Sequence, residues 1–236
     1  MSVSYEPALE TTKEAVKARY DRFAEVGGHR EACCGPEVAD SCCGYAVGEG
    51  LYGEADLAAV PEGAVDLSRG CGNPTGFADL RPGEVVVDLG CGGGIDVILA
   101  AQKVGPSGRV IGIDFAPQMI ARASGLVAKG GLSDCVELRA EDITTTQLPD
   151  ACADVVISNC VFNLCPDQDA AYREAFRVLR PGGRLAISDI VLTEALPQEV
   201  TERLRSVTAG CLAWATLERG TIWRWSATAG LPTSGS

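Results

Sequence analysis

Between residues 84 and 188 the apolar positions alternate between two periods. Short apolar, largely β-branched runs at 85–89, 109–113, 135–139, 154–158 and 184–188 have the length and composition of strands. The stretches between them follow the helical period, at 94–104, at 117 to about 130, and in a segment that carries Tyr172, Phe176 and Leu179 on one face. A further helix is expected over 197–210, where Val200, Leu204, Val207 and Cys211 fall on one apolar stripe. Strands alternating with helices imply an α/β domain, a parallel sheet with right-handed crossovers.

The flanks are less regular. Residues 11–26 read as an amphipathic helix with Thr11 and Glu14 as a capping box and Val16, Tyr20 and Phe23 on one face, ended by Gly27 and Gly28. That helix either packs on the main domain or covers a ligand. Residues 32–50 are rich in Gly and Cys, lack a period and read as a loop. Residues 52–74 continue irregularly to a turn at Gly72-Asn73-Pro74, followed by a short helix at about 75–80. The last 25 residues read as poorly folded, apart from a short strand expected at 221–225.

Composition narrows the function. The chain has 236 residues, a net charge of −12 and 46% hydrophobic residues, enough for a core of its own. The acidic balance argues against a nucleic-acid partner. No run approaches the ~18 apolar residues of a membrane helix, and the first 14 residues carry no signal-peptide core. A cytoplasmic location, without a membrane partner, is expected. Eleven cysteines beside one histidine then point to thiol or soft-metal chemistry in a reducing compartment. The pairs Cys33-Cys34 and Cys42-Cys43 do not have zinc-site spacing.

The chemistry gathers at Val85 to Asp96, VVVDLGCGGGID. A strand that ends in a glycine cluster and opens a helix is a nucleotide-type turn, because glycine lets a ligand approach where a Cβ would clash. Asp88 precedes Gly90 and Gly92; a carboxylate there repels a pyrophosphate but suits a ligand bearing an ammonium and a sulfonium. Asp114, with Phe115 after it, ends strand two, where a carboxylate can accept both ribose hydroxyls. Asp142 and Ile143 follow strand three and could meet the edge and face of an adenine.

The glycine loop, Asp114, Asp142 and the Pro181-Gly182-Gly183 turn together resemble the class I S-adenosylmethionine-dependent methyltransferases, over residues 84–188. The resemblance implies a Rossmann-like sheet of order 3-2-1-4-5 with helices on both faces, its C-terminal strand pair missing, and S-adenosyl-L-methionine bound at Asp88, Gly90, Gly92, Asp114, Phe115, Asp142, Ile143 and Asn159. In that order the ligand crevice opens between strands one and four, so Cys160, directly after strand four, lies where the transferable methyl points.

Three further stretches, Gly70-Cys71-Gly72-Asn73-Pro74, the run from Ile157 to Leu164 around Asn159-Cys160, and Gly210-Cys211, resemble the arsenite methyltransferases. By that resemblance Cys71, Cys160 and Cys211 hold trivalent arsenic, arriving as arsenite or its thiol conjugates. The stretch from Cys33 to Cys43 resembles the family's N-terminal cysteine region, whose thiols pass arsenic inward or form a disulfide during turnover, which leaves Cys33, Cys34, Cys42 and Cys43 all open as accessory thiols. A thiol reductant of the glutathione or thioredoxin type is then implied, with arsenic detoxification as the role. Two other readings stay open: a methyltransferase for a small quinone-type substrate, and a non-catalytic, thiol-rich protein that sequesters arsenic or metals. The chain divides into an N-terminal helix and Cys-rich segment (1–83), a cofactor-binding core (84–196) and the start of an arsenic-binding C-terminal region (197–236). Residues 220–236 do not match the family and read as an altered or truncated end, a change that would affect arsenic binding through Cys211 more than cofactor binding.

Overall fold

Neighbouring valines on the first strand are buried in different cores. Val86 packs with Val97, Ile98 and Val110, whereas Val87 and Leu89 pack with Ile111, Val156 and Leu185. Successive strand residues point to opposite faces, so a strand apolar at every position must be covered on both sides. This is a computed structural model, which describes residues 6–27, 51–189 and the strand 222–224.

The described elements run α1 (Glu6–Glu25), α2 (Glu54–Ala59), α3 (Pro74–Phe77), β1 (Val85–Leu89), α4 (Ile95–Val104), β2 (Arg109–Asp114), α5 (Pro117–Lys129), β3 (Val136–Ala140), β4 (Ala153–Asn159), a 3-10 turn (Phe162–Leu164), α6 (Gln168–Val178), β5 (Leu179–Ser188) and β6 (Ile222–Arg224). The sheet order is β3-β2-β1-β4-β5-β6. The first five of these strands pair in parallel and β6 is antiparallel to β5. The order in which successive strands are added thus reverses between β1 and β4, the switch point at which α/β sheets bind ligands. The α4 and α5 side chains fill one core with part of α1, and those of α6 fill the other.

The expected sheet order holds, and the differences from the sequence reading are local. Helix α1 begins at Glu6, so Thr11 lies inside it and is not its N-cap; the acidic first turn with Pro7 is itself a helix start. Residues 54–59, read as irregular, form α2, whose N-cap Gly53 offers no side chain to signal it. Helix α3 is shorter than expected. It is capped by the Asn73 side chain, which accepts from Gly76 N–H, and is followed by Asp79 at φ +52°. Leu179 belongs to β5 rather than to α6, pairing with Ala153 ahead of a register shift around Pro181-Gly182-Gly183. Strand β6 covers β5 in the place expected for a strand at 221–225, so β5 is not the sheet edge. The helix expected at 197–210 lies outside the described residues.

The base of the sheet is fastened by Arg184. Its side chain donates to both Glu84 carboxylate oxygens at 2.8 and 2.7 Å, to Ala78 O at 2.8 Å and to Asp79 O at 2.6 Å, and the residue is 8% exposed. Arg184→Ala leaves that carboxylate and two carbonyls without their partner in a largely shielded site. It is expected to lower the unfolding free energy by about 3 kcal/mol or more, read as a fall in the urea midpoint at constant slope.

Candidate functional site

At the carboxyl end of β1 the chain turns through the glycine cluster. Gly90 and Cys91 N–H groups both donate to Ile113 O, at 2.7 and 2.9 Å. Gly90 sits at φ +82°, and a Cβ there would lie 2.3 Å from Val161 Cγ2, so only glycine fits the turn. Asp114 then fixes the loop: one carboxylate oxygen accepts Gly92 N–H and the other Ala116 N–H, each at 2.9 Å. Each oxygen retains a lone pair for a ligand hydroxyl.

These elements wall a cleft of about 910 Å³, counting the solvent at its mouth. Gly90, Gly92, Asp114, Phe115, Asp142, Ile143, Asn159 and Cys160 line it together. Asp88 instead lies beneath the loop, 1% exposed, with Oδ2 lacking a partner among the described residues. Burial first, then the neighbouring Asp96 and Asp114 carboxylates, push its pKa well above the usual range. On the cleft wall, beyond the residues singled out from the sequence, stands Asp96. It accepts from Tyr52 Oη at 3.1 Å and Asn159 Nδ2 at 3.0 Å. As the first acid of a helix it reads in sequence as a dipole partner, and Tyr52 falls in a stretch without period. Neither had a local signal. Burial lifts the carboxyls of Asp96 and Asp114 to about 6, opposed by their hydrogen bonds.

Helix α1 packs on the main domain and also lines the cleft. Asp21 accepts Gln118 N–H at 3.1 Å, and Arg122 donates to Ala24 O and Glu25 O at 2.9 and 3.1 Å, which fastens α1 to α5. Lys13, Val16 and Tyr20 of the same helix line the cleft, and Lys13 pairs with Asp142 Oδ2. The other Asp142 oxygen accepts Thr144 N–H at 2.8 Å. Three wall carboxylates, Asp96, Asp114 and Asp142, form an acceptor set. S-adenosylmethionine, with its ammonium, sulfonium and ribose diol, fits that set better than a pyrophosphate does.

Cys160 lines the cleft, and Cys71 stands beside it. The Cys71 loop crosses the ends of β4 and β5, held by Asn159. Asn159 Oδ1 accepts Cys71 N–H at 3.0 Å and Gly72 N–H at 3.2 Å, while Nδ2 donates to Gly72 O at 2.8 Å. Glycine flanks Cys71 for a steric reason: a Cβ on Gly70 would lie 2.2 Å from Asn159 Nδ2, and one on Gly72 2.0 Å from Ser188 Oγ. The β4–β5 register pairs Asn159 with Ser188, so Cys160 and Asp189 leave the sheet side by side. Cys160 stands at φ +61°, and its N–H donates to Ser188 O at 2.7 Å. Cys71 Sγ, Cys160 Sγ and an Asp189 oxygen lie within 4.8 Å of one another. The Cys160 thiol, by hydrogen bonding, draws the Cys71 pKa below the usual thiol value against burial and the Asp189 charge. Asp189 went unremarked in the sequence although, like Asp114, it is an acid at a strand's carboxyl end.

Cys33, Cys34, Cys42, Cys43 and Cys211 lie outside the described residues. Cys91 is buried in the glycine loop, and Cys165, lining the cleft, is pushed up to about 11 by burial. Cys135 and Cys152 are half-buried.

A family model described as a methyltransferase domain matches residues 80–230. The chain is 45% identical over 216 residues to an arsenite methyltransferase of Halobacterium salinarum, an alignment covering 87% of this chain and 54% of that protein. It is 39% identical over 130 residues to an arsenite methyltransferase of Aquipseudomonas alcaligenes, covering 52% of this chain and 37% of that one. A crystal structure of an arsenic(III) S-adenosylmethionine methyltransferase from Chlamydomonas reinhardtii is similar with a TM-score of 0.62 and 36% identity, over 69% of this chain and 56% of that one. The chain spans about half the length, or less, of these relatives.

Proposed function

Because the chain belongs to the class I S-adenosylmethionine-dependent methyltransferases, we propose that it transfers the cofactor's methyl group to trivalent arsenic. The observation that carries this reading is the pair of thiols, Cys160 on the wall of the cofactor cleft and Cys71 brought up beside it. Arsenite methyltransferases among the relatives support the same substrate.

When bound, the cofactor supplies an electrophilic methyl carbon on a sulfonium. Asp114 would accept the ribose hydroxyls, Asp142 and Ile143 would meet the adenine, Gly90 and Gly92 would leave backbone room, and Phe115 would add apolar wall beside them. Asp88, Asp96 and Asn159 set the polarity around the charged end. Cys71, Cys160 and Cys211 hold arsenic as thiolates, a soft donor set that carboxylates and imidazoles do not reproduce. Arsenite exchanges its three hydroxyls for these sulfurs, each leaving as water with a thiol proton (a thiol conjugate releases its own thiols instead), and arsenic keeps a lone pair that would attack the methyl carbon as S-adenosylhomocysteine leaves. A neutral nucleophile meeting a cationic donor needs no strong base, so catalysis is mainly placement, worth roughly 7–11 kcal/mol when alignment is right. Methyl transfer through the lone pair takes arsenic from the trivalent to the pentavalent state; two thiols, with Cys33, Cys34, Cys42 and Cys43 as the accessory candidates, return it to the trivalent state by closing a disulfide, which a glutathione- or thioredoxin-type reductant reopens, and the cellular role is arsenic detoxification.

The test is arsenic speciation after incubating the full chain with arsenite, glutathione and S-adenosylmethionine. Methylarsenicals are expected. Tight arsenite binding without methyl transfer would favour sequestration, and neither outcome would favour an organic, quinone-type substrate.

Cofactor affinity is also expected to depend on pH. Asp96 and Asp114, lifted to about 6 in the free chain, take up protons as pH falls through 6. A cationic, hydroxyl-donating ligand binds their ionised form. Affinity should therefore hold above pH 7 and fall below 6, approaching about tenfold per pH unit for each carboxylate that must lose its proton. Titration of cofactor binding at pH 5, 6 and 7.5 checks this, and equal affinity throughout would remove both carboxylates from the site.

A further inference from the structure

We propose that Cys71, Cys160 and Asp189 form a mixed sulfur–oxygen site for a borderline divalent cation of the zinc class. Their three donor atoms lie within 4.8 Å of one another. Two sulfurs on one tetrahedral zinc, each bonded at ~2.3 Å, stand about 3.8 Å apart. Closure on a cation therefore needs side-chain adjustments of at most about an ångström, with no change in the strands that carry them. Two thiolates and one carboxylate leave a fourth position open, the donor count of a zinc site that keeps a water.

Each donor also has an outer partner that fixes its direction. Cys71 Sγ lies 3.9 Å from Ser188 Oγ, Asn163 Nδ2 donates to Cys160 Sγ at 3.8 Å, and Asn163 N–H donates to Asp189 Oδ2 at 3.0 Å. A shell of this kind orients metal ligands and is costly to lose. The three ligands come from the Cys71 loop and from the ends of β4 and β5, where the register holds Cys160 beside Asp189. An acidic chain of net charge −12 adds a field that draws cations. Binding releases the two thiol protons to solvent and leaves three anionic donors on a doubly charged ion.

The site stands on this geometry alone. One consequence rests on the arsenic reading: the cation occupies two of the arsenic-holding sulfurs, so zinc-class ions should compete with arsenite and stop methylation.

Co2+ is the probe, because thiolate ligation gives it a charge-transfer absorption. The full chain carrying Cys33→Ser, Cys34→Ser, Cys42→Ser, Cys43→Ser and Cys211→Ser removes the other predicted thiol ligands. It should bind one equivalent with that band. Cys71→Ser or Cys160→Ser should abolish the band. Asp189→Ala should keep the band but weaken affinity by about a hundredfold or more, beyond what loss of an outer partner costs. Asp189→Asn retains an oxygen for Asn163 N–H and should also bind weakly, with the melting temperature of each variant as the folding control. Unchanged Co2+ affinity in Asp189→Asn, or no band in the starting chain, would overturn the proposal. Arsenite methylation by the parent without added metal is scored separately. Methylation without cobalt binding sinks this site alone; cobalt binding without methylation sinks the arsenic reading alone.

Discussion

Cys160→Ser is expected to bind S-adenosylmethionine as the parent does and to form no methylarsenical. Serine keeps the side-chain size and the N–H that donates to Ser188 O at 2.7 Å. It also leaves the backbone at φ +61°, a conformation that costs an L-residue roughly 1–2 kcal/mol wherever it is held. What changes is the donor, from a polarisable thiolate to a hard hydroxyl that trivalent arsenic does not favour. Strain kept at this position, with a residue other than glycine, fits a side chain aimed for its chemistry. Cofactor titration and product analysis on the same preparation separate the two effects, and parent-like turnover would remove Cys160 from the ligand set.

Asn159→Ala should lower arsenite turnover about a hundredfold, with a smaller loss of cofactor affinity. Through one amide this residue ties the Cys71 loop, by Cys71 N–H, Gly72 N–H and Gly72 O, to Tyr52 Oη and Asp96 Oδ2 at the cofactor loop. Its removal strands these groups, at about 1–3 kcal/mol of stability, and lets Cys71 drift. A displacement of about 1 Å at a reacting centre is enough for the expected fall in rate. The signature is a fall in kcat for arsenite larger than the rise in cofactor Kd. Equal changes in both would make Asn159 a cofactor contact only.

The legible part of this molecule is the part where pattern and environment agree. Val86 and Val87 read as part of a strand from their apolar, β-branched run, and each is covered by its own core. Asp114 read correctly as a strand-end residue on the cleft, although its hold on the Gly92 and Ala116 amides is a tertiary fact with no trace in spacing. Helix α2 was hidden by its length and uncapped start, and Tyr52 by the irregular stretch around it. The partnership of Tyr52 with Asp96 spans 44 residues, so no local period could reveal it. Asp189 shows the other limit. Its residue type and strand-end position were visible, but its place beside two thiols depends on the pairing of Asn159 with Ser188. The glycines around Cys71 were seen as part of a resemblance, and their physical reason, clearance from Asn159 and Ser188, required the folded neighbours.

The central claim is that Cys71 and Cys160 together hold arsenic beside the cofactor cleft. It is tested most directly by arsenic-edge X-ray absorption on the full chain with one equivalent of arsenite, compared with Cys71→Ser and Cys160→Ser. An all-sulfur first shell is expected in the parent, with a sulfur replaced by oxygen in each variant. The same sulfur coordination in all three proteins would place arsenic on other cysteines and contradict the account.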